Sequence, residues 1–242
     1  MFPDLLVVDR IKRRLHRDIV ADPVLHGLVL NLYLNGERYP HRVDDYFPLA
    51  AAHDAEIEAL MRRHMAEEDR HIALYVRAIG KLEQPVVELP LPEVYNEVIR
   101  KHTSASFAIA SADGPDACRL KLAHFFAHLH FLEKRIARSL QYHVEACAHA
   151  ACTYPEKAVG AILHDELRHV SYTQDVVLHL LPKREAQGVL ALHARAESRA
   201  NLDFSAHQLS RLLREQASRF PRVRGAFYRG CTSVLRGVLA CA

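Results

Sequence analysis

One short pattern recurs in this chain and restricts its fold more than any other feature. His164-Asp165-Glu166-Leu167-Arg168-His169 reads as an acid, a Glu, a spacer, an Arg and a His, and Glu67-Glu68-Asp69-Arg70-His71 gives the same order earlier. Glu and His three residues apart lie on one face of a helix, about a turn apart. A carboxylate beside an imidazole is half of a dinuclear metal site. The chain holds 17 His, so roughly one such pair is expected by chance; the second copy carries the weight.

A complete site of this kind needs one inward Glu from each of two further helices. Glu37 and Glu133 stand at matching places. Glu37 precedes Glu68 by 31 residues (68 − 37) and Glu133 precedes Glu166 by 33 (166 − 133). If each pair spans an antiparallel hairpin, the turns fall near 52–53 and 150, close to turns predicted at 47–54 and 151–154. Each half of the chain then gives a helix with Glu followed by a helix with Glu-x-x-His.

Apolar spacing near 3.6 predicts a first helix over 4–20, with Leu5, Leu6, Val8, Ile11 and Leu15 opposite Arg10, Lys12, Arg13, Arg14 and Arg17. Asp22-Pro23 predicts a cap and first turn for an apolar segment from Val24 to about Tyr46. Pro40 either kinks this helix or ends it at Tyr39. If it slips, Asp44 and Asp45 replace Glu37 as ligands. The next helix begins at Pro48 or Asp54 and runs to about Leu82. Residues 83–115, with Pro85, Pro90, Pro92 and Pro115, form a long connection with a short helix near 93–101; such a crossover is needed when the second and third helices run parallel. The third helix covers about Asp116 to His149. Thr153-Tyr154-Pro155-Glu156 reads as a capping box opening a fourth helix that Pro182 stops. Two or three more helices follow, split near Phe220-Pro221. The expectation is one all-α domain over 1–242, a bundle core over about 24–181 with terminal helices at 4–20 and 183–240.

The donor types explain themselves. Four carboxylates and two imidazoles offer hard oxygen and borderline nitrogen, which suit iron and manganese. Two carboxylates can bridge the ions, and four negative ligands offset most of their charge in an apolar core. Without metal, four buried carboxylates are costly. Composition excludes other classes. Half of the residues are hydrophobic, yet no 18-residue apolar stretch appears, so no membrane span is expected. The N-terminus lacks the pattern of a secretory signal. Five Cys with no Cys-x-x-Cys predict reduced thiols and a cytoplasmic location. A net charge of +3 and no polybasic run predict no nucleic-acid partner. From Asn201 onward seven Arg face only Asp203 and Glu215, a solvated face or a docking face for an acidic partner.

The paired motifs resemble those of the ferritin-like di-iron carboxylate superfamily, and within it the dioxygen-activating branch: the bacterial di-iron monooxygenase hydroxylases and the acyl-carrier-protein desaturases. The resemblance covers about residues 24–181. It implies a ferritin-like four-helix bundle of two antiparallel hairpins joined by a long crossover, holding two iron ions, or one manganese and one iron, on Glu37, Glu68, His71, Glu133, Glu166 and His169. It implies that Glu67 and Asp165 orient His169 and His71, with Arg70 and Arg168 neutralising them. Glu68-x-x-His71-x-x-x-Tyr75 is also similar to the ribonucleotide reductase small subunit, where a Tyr at this place carries a radical, so Tyr75 is a candidate redox residue. This chain departs from that pattern in having Glu in the first helix and no Trp. His64 and His130, a turn from Glu68 and Glu133, are extra candidates that more commonly end as satisfied core or surface His.

The function implied is an oxidase or oxygenase that uses dioxygen to hydroxylate, desaturate or N-oxygenate a small organic substrate. Phe125, Phe126, Leu129 and Phe131 are candidates for a substrate wall or for core packing. No flavin or nicotinamide fingerprint is present, so electrons come from an external donor; an acidic carrier protein or reductase would suit the basic C-terminal face, and a homodimer is compatible. The alternatives are bacterioferritin-like iron oxidation and storage, disfavoured by the extra terminal helices, a rubrerythrin-like peroxidase, disfavoured by the missing Cys-x-x-Cys, and a metal-binding scaffold.

Overall fold

The computed structural model describes residues 3–44, 46–52, 54–105, 107–110 and 113–241, with side chains from Val8 to Ala240. The side chains of Leu5 and Leu6, and Asp45, lie outside the described residues. Among those described there are eight α-helices and no strand: α1 (Pro3–Val20), α2 (Pro23–Glu37), α3 (Ala55–Lys81), α4 (Tyr95–Lys101), α5 (Pro115–His149), α6 (Thr153–Leu180), α7 (Lys183–Glu215) and α8 (Arg222–Cys241). None of the described helices is long and apolar enough to cross a membrane.

Four helices pack around one buried polar centre. Gly27 sits against Gln84, just past the end of α3, while Tyr33 packs on Tyr75, so α2 and α3 are antiparallel. His64 meets Tyr172 and His71 meets Asp165, so α3 and α6 are antiparallel too. The tight turn Ala150–Cys152, with Ala151 at φ 56°, reverses α5 into α6. It follows that α3 and α5 run parallel and need the long crossover of 82–114.

That crossover is strapped to α2 by two buried amides. Asn31 Oδ1 accepts from Val87 N at 2.7 Å and its Nδ2 donates to Pro85 O; Asn35 Oδ1 accepts from Leu89 N at 2.8 Å and its Nδ2 donates to Val87 O. Each amide pairs with the extended segment as a neighbouring strand would. The strap passes so close to α2 that a Cβ at Gly27 would stand 2.6 Å from Gln84 Cγ.

Two boundaries differ from expectation. The helix predicted to continue toward Tyr46 ends at Glu37, and Pro40 lies in a single 3-10 turn, Tyr39–His41. Pro40 lacks an N–H and disfavours helical backbone at Tyr39. The connection to α3 therefore occupies 38–54 rather than 47–54. Asp54 caps α3 by accepting from Glu56 N and Ile57 N. Thr153 does not make a capping box: it is the first residue inside α6, and its hydroxyl donates to Ala151 O.

The terminal helices build a second apolar cluster beside the bundle, where Val8 and Ile19 of α1 meet Leu25 of α2, Leu202 and Leu209 of α7, and Tyr228 and Leu235 of α8. Buried polar links fix it. Arg135 of α5 pairs with Glu197 of α7 and with Asp9 of α1 at 3.3 Å, and Lys12 donates to Asn201 Oδ1 at 2.7 Å. Burial lowers the Lys12 ammonium to about 7.

Candidate metal centre

The centre lies between two apolar layers. Phe47, Met61, Phe125 and Phe126 close one side. Leu34, Tyr75, Leu140 and Ile162 close the other. Glu37 is the last residue of α2, Glu68 and His71 sit mid-way along α3, Glu133 on α5, and Glu166 and His169 on α6. All six are buried, none more than 8 % exposed. The fold thus brings these six residues together, and the early end of α2 does not remove Glu37. Asp44 lies beyond the helix end and is exposed, so it does not substitute.

The donor atoms fall into overlapping sets. Glu37, Glu68, His71 and Glu166 offer atoms all within 4.8 Å of one another; Glu133, Glu166 and His169 form a second set, and Glu68 joins His169 and His64 in a third. Glu166 Oε1 is 3.4 Å from His71 Nδ1 while its Oε2 is 3.1 Å from His169 Nδ1. Glu68 Oε1 lies 3.8 Å from His71 Nδ1 and 3.9 Å from His169 Nδ1. Glu166 and Glu68 therefore stand between two half-sites, with Glu37 belonging to one and Glu133 to the other.

Both imidazoles present Nδ1 to the centre and Nε2 outward. His71 Nε2 meets Asp165 Oδ2 at 3.1 Å, and His169 Nε2 meets Glu67 Oε2 at 2.8 Å. Each acid thus holds the imidazole of the other motif, across the α3–α6 contact. A proton on Nε2 leaves the Nδ1 lone pair free for a cation. Arg168 donates to Glu67 Oε1 at 2.6 Å and pairs with Asp165 at 2.7 Å; Arg70 also pairs with Asp165. Burial pushes the Glu67 carboxyl up, but hydrogen bonds from His169 and Arg168 outweigh it and hold it below the usual range.

The four inner carboxylates have only imidazoles as ion-pair partners among the described residues. Burial and mutual repulsion push Glu37, Glu133 and Glu166 well above the usual range. Glu68 is the exception: burial raises it, but His64 holds it down. Burial is also the main cause that lowers His71 to about 4. Without a cation, burial and repulsion therefore favour the protonated form of these three carboxyls and the neutral form of His71. Two divalent cations would displace those protons, and the donor set fits them.

His64 is the residue that spacing under-weighted. It is 1 % exposed, its Nε2 lies 3.1 Å from Glu68 Oε1 and 3.6 Å from Glu133 Oε1, and its Nδ1 meets the Tyr172 hydroxyl at 2.6 Å. The signal was present as His64-x-x-x-Glu68, one helical turn. His130 goes elsewhere and bonds Val170 O at 2.9 Å. Tyr75 is fully buried and its hydroxyl has no hydrogen-bond partner among the described residues. Phe125, Phe126 and Leu129 are packed in the core, while Phe131 is only half-buried against His130. Comparison with protein-family models, with curated proteins and with solved structures finds no match.

Proposed function

We propose that this chain is a ferritin-like, dinuclear non-haem oxidase or oxygenase that uses dioxygen to oxidise a small organic substrate. The observation that carries the reading is the crossed pair of supported imidazoles, His71 on Asp165 and His169 on Glu67, facing four buried carboxylates. An iron-storage site needs ions to pass through; a site with both imidazoles locked from behind favours ions that stay.

In this reading Glu37 and His71 would hold one ion and Glu133 and His169 the other, with Glu68 and Glu166, which stand between the two half-sites, available to both. The bound metals, two irons or a manganese–iron pair, supply dioxygen activation. The protein's part is positional. Asp165 and Glu67 fix the tautomer and tilt of the two rings. His64 holds a hydrogen bond to Glu68 and can keep a proton beside that carboxylate. Phe47 and Tyr172 pack on His64, backed by Phe125 and Phe126 respectively, and exclude water from that side. The reducing equivalents come from an external donor, and the free thiols Cys118, Cys147, Cys152 and Cys231 suit a reducing compartment such as the cytoplasm.

Tyr75 favours a second reading, a radical-holding protein. Its phenol is buried, has no hydrogen-bond partner among the described residues and lies 5.8 Å from the ring of Tyr33, so a radical there would be shielded from solvent; its oxidation would have to pass the phenolic proton to one of the nearby carboxylates, Glu37, Glu68 or Glu166. The test is metal content after anaerobic purification, followed by dioxygen uptake and electron paramagnetic resonance. About two transition-metal ions per chain with stoichiometric dioxygen uptake support the oxygenase reading; a stable tyrosyl signal lost in Tyr75→Phe supports the second. A large cage on a sizing column would favour storage, and absence of bound transition metal would overturn all three.

A further inference from the structure

A second cluster of donors lies away from this centre. His143 is ten residues beyond Glu133 on α5 (143 − 133), about 15 Å along the helix axis. We propose that His26, His143 and Cys147 form a separate site for one zinc-type divalent cation, joining α2 to α5.

The three donor atoms lie within 4.8 Å of one another and all three residues are buried. His26 Nε2 is 2.9 Å from His143 Nε2 and 3.8 Å from Cys147 Sγ. A tetrahedral zinc ion with bonds of about 2.0–2.1 Å to nitrogen and 2.3 Å to sulfur holds such donors about 3.3 and 3.6 Å apart. Shifts of a few tenths of an ångström bring the cluster to that geometry. The donor chemistry differs from the first centre: two imidazoles and a thiol, with no carboxylate, suit a borderline ion such as Zn(II) or Co(II) rather than iron.

The surroundings keep the donors free. Burial lowers His26 to about 4 and holds His143 well below its ordinary value, which favours the neutral rings that a cation needs. Two facing Nε2 atoms repel unless one proton, or a cation, lies between them. The rings are held by packing: His16 and Tyr33 stack edge-on against His143. Burial raises the Cys147 thiol to about 12, so metal binding must release its proton, one per ion. Val20 and Cys152 flank Cys147 at the α5–α6 turn, where Cys152 is partly exposed.

Sulfur gives a readout that the first centre cannot produce, since none of its donors is a thiol. The full-length chain, stripped of metal and titrated with Co(II), should take up one ion that gives a thiolate-to-cobalt charge-transfer band. The band should persist in the Glu68→Ala/Glu166→Ala double variant, vanish in Cys147→Ser and weaken at least tenfold in His143→Phe. Zinc-edge X-ray absorption of the Zn-loaded Glu68→Ala/Glu166→Ala variant, in which the first centre is disabled, reads the site directly, and one sulfur with two imidazole nitrogens is the expected shell. A shell without sulfur, no charge-transfer band, or a band that survives Cys147→Ser overturns the proposal.

Discussion

His64 lies flat on His169, ring centroids 3.6 Å apart and planes 13° from parallel. One ring bridges Glu68 and Glu133 from above while the other faces Glu166 from within. The stack covers one half-site with a group that can donate a hydrogen bond but is held away from the His71 half. His64→Phe keeps the ring and removes the nitrogens. It should retain both ions and weaken the ion on the His169 side, about tenfold by analogy with other groups that act through a ligand. Anaerobic Fe(II) titration in the presence of a competing chelator measures this.

The crossed supports make a paired expectation. Glu67→Gln should weaken the ion held by His169, and Asp165→Asn the ion held by His71, each by about 10–100-fold. Because Glu67 pairs with Arg168 and Asp165 with both Arg70 and Arg168, the Asp165 variant frees the larger positive charge and should be the more damaging. Equal losses at both half-sites from either variant would contradict the crossed arrangement.

If the proposed two-ion arrangement holds, stoichiometry separates the carboxylates between the half-sites from those belonging to one of them. Glu37→Ala or Glu133→Ala should leave about one ion per chain, whereas Glu68→Ala combined with Glu166→Ala should leave none at the first centre. Metal removal should also lower the thermal midpoint, since an ion present at 100 times its dissociation constant adds about 2.7 kcal/mol. Elemental analysis with a calorimetric scan before and after chelation tests both statements.

His128 is buried against Phe107, and neither ring nitrogen has a hydrogen-bond partner among the described residues. Burial, with the nearby His193 and Arg100, lowers it to about 3. The unfolded chain protonates this ring below about 6.5, the folded one only near 3, so in that window the unfolded state binds more protons and stability falls as pH falls. His128→Phe should remove that part of the acid sensitivity between pH 6.5 and 3 and be neutral or stabilising at pH 7, because it deletes unsatisfied buried nitrogens. Urea unfolding at several pH values gives the slope.

Arg135 supports the fold and stands outside the candidate centre. Its side chain is 11 % exposed and holds Glu197, 7 % exposed, together with Asp9. Arg135→Ala strands a buried carboxylate and should cost about 3–5 kcal/mol, read from urea unfolding, with metal stoichiometry unchanged.

The sequence by itself determined the helices and the convergence of six side chains, because both are periodic. Glu-x-x-His on a helix puts two donors on one face whatever surrounds it, and matched separations of 31 and 33 residues align two hairpins of similar length. The Pro-rich crossover announced that two helices run parallel. The early end of α2 was half legible: Pro40 offered two outcomes, and only the burial of Tyr39, bonded to Glu97 at 2.6 Å, shows which one packs. The tertiary structure alone decided the rest. Lys12 and Asn201, Asn31 and Pro85, and His26 and Cys147 are far apart in the chain and share no period, so their meeting depends on how whole helices pack. His64 is the clearest case. Its position one turn from Glu68 was visible, but whether a helix face looks inward or outward there depends on Phe47 and Tyr172 closing over it, and those contacts exist only after the bundle has formed.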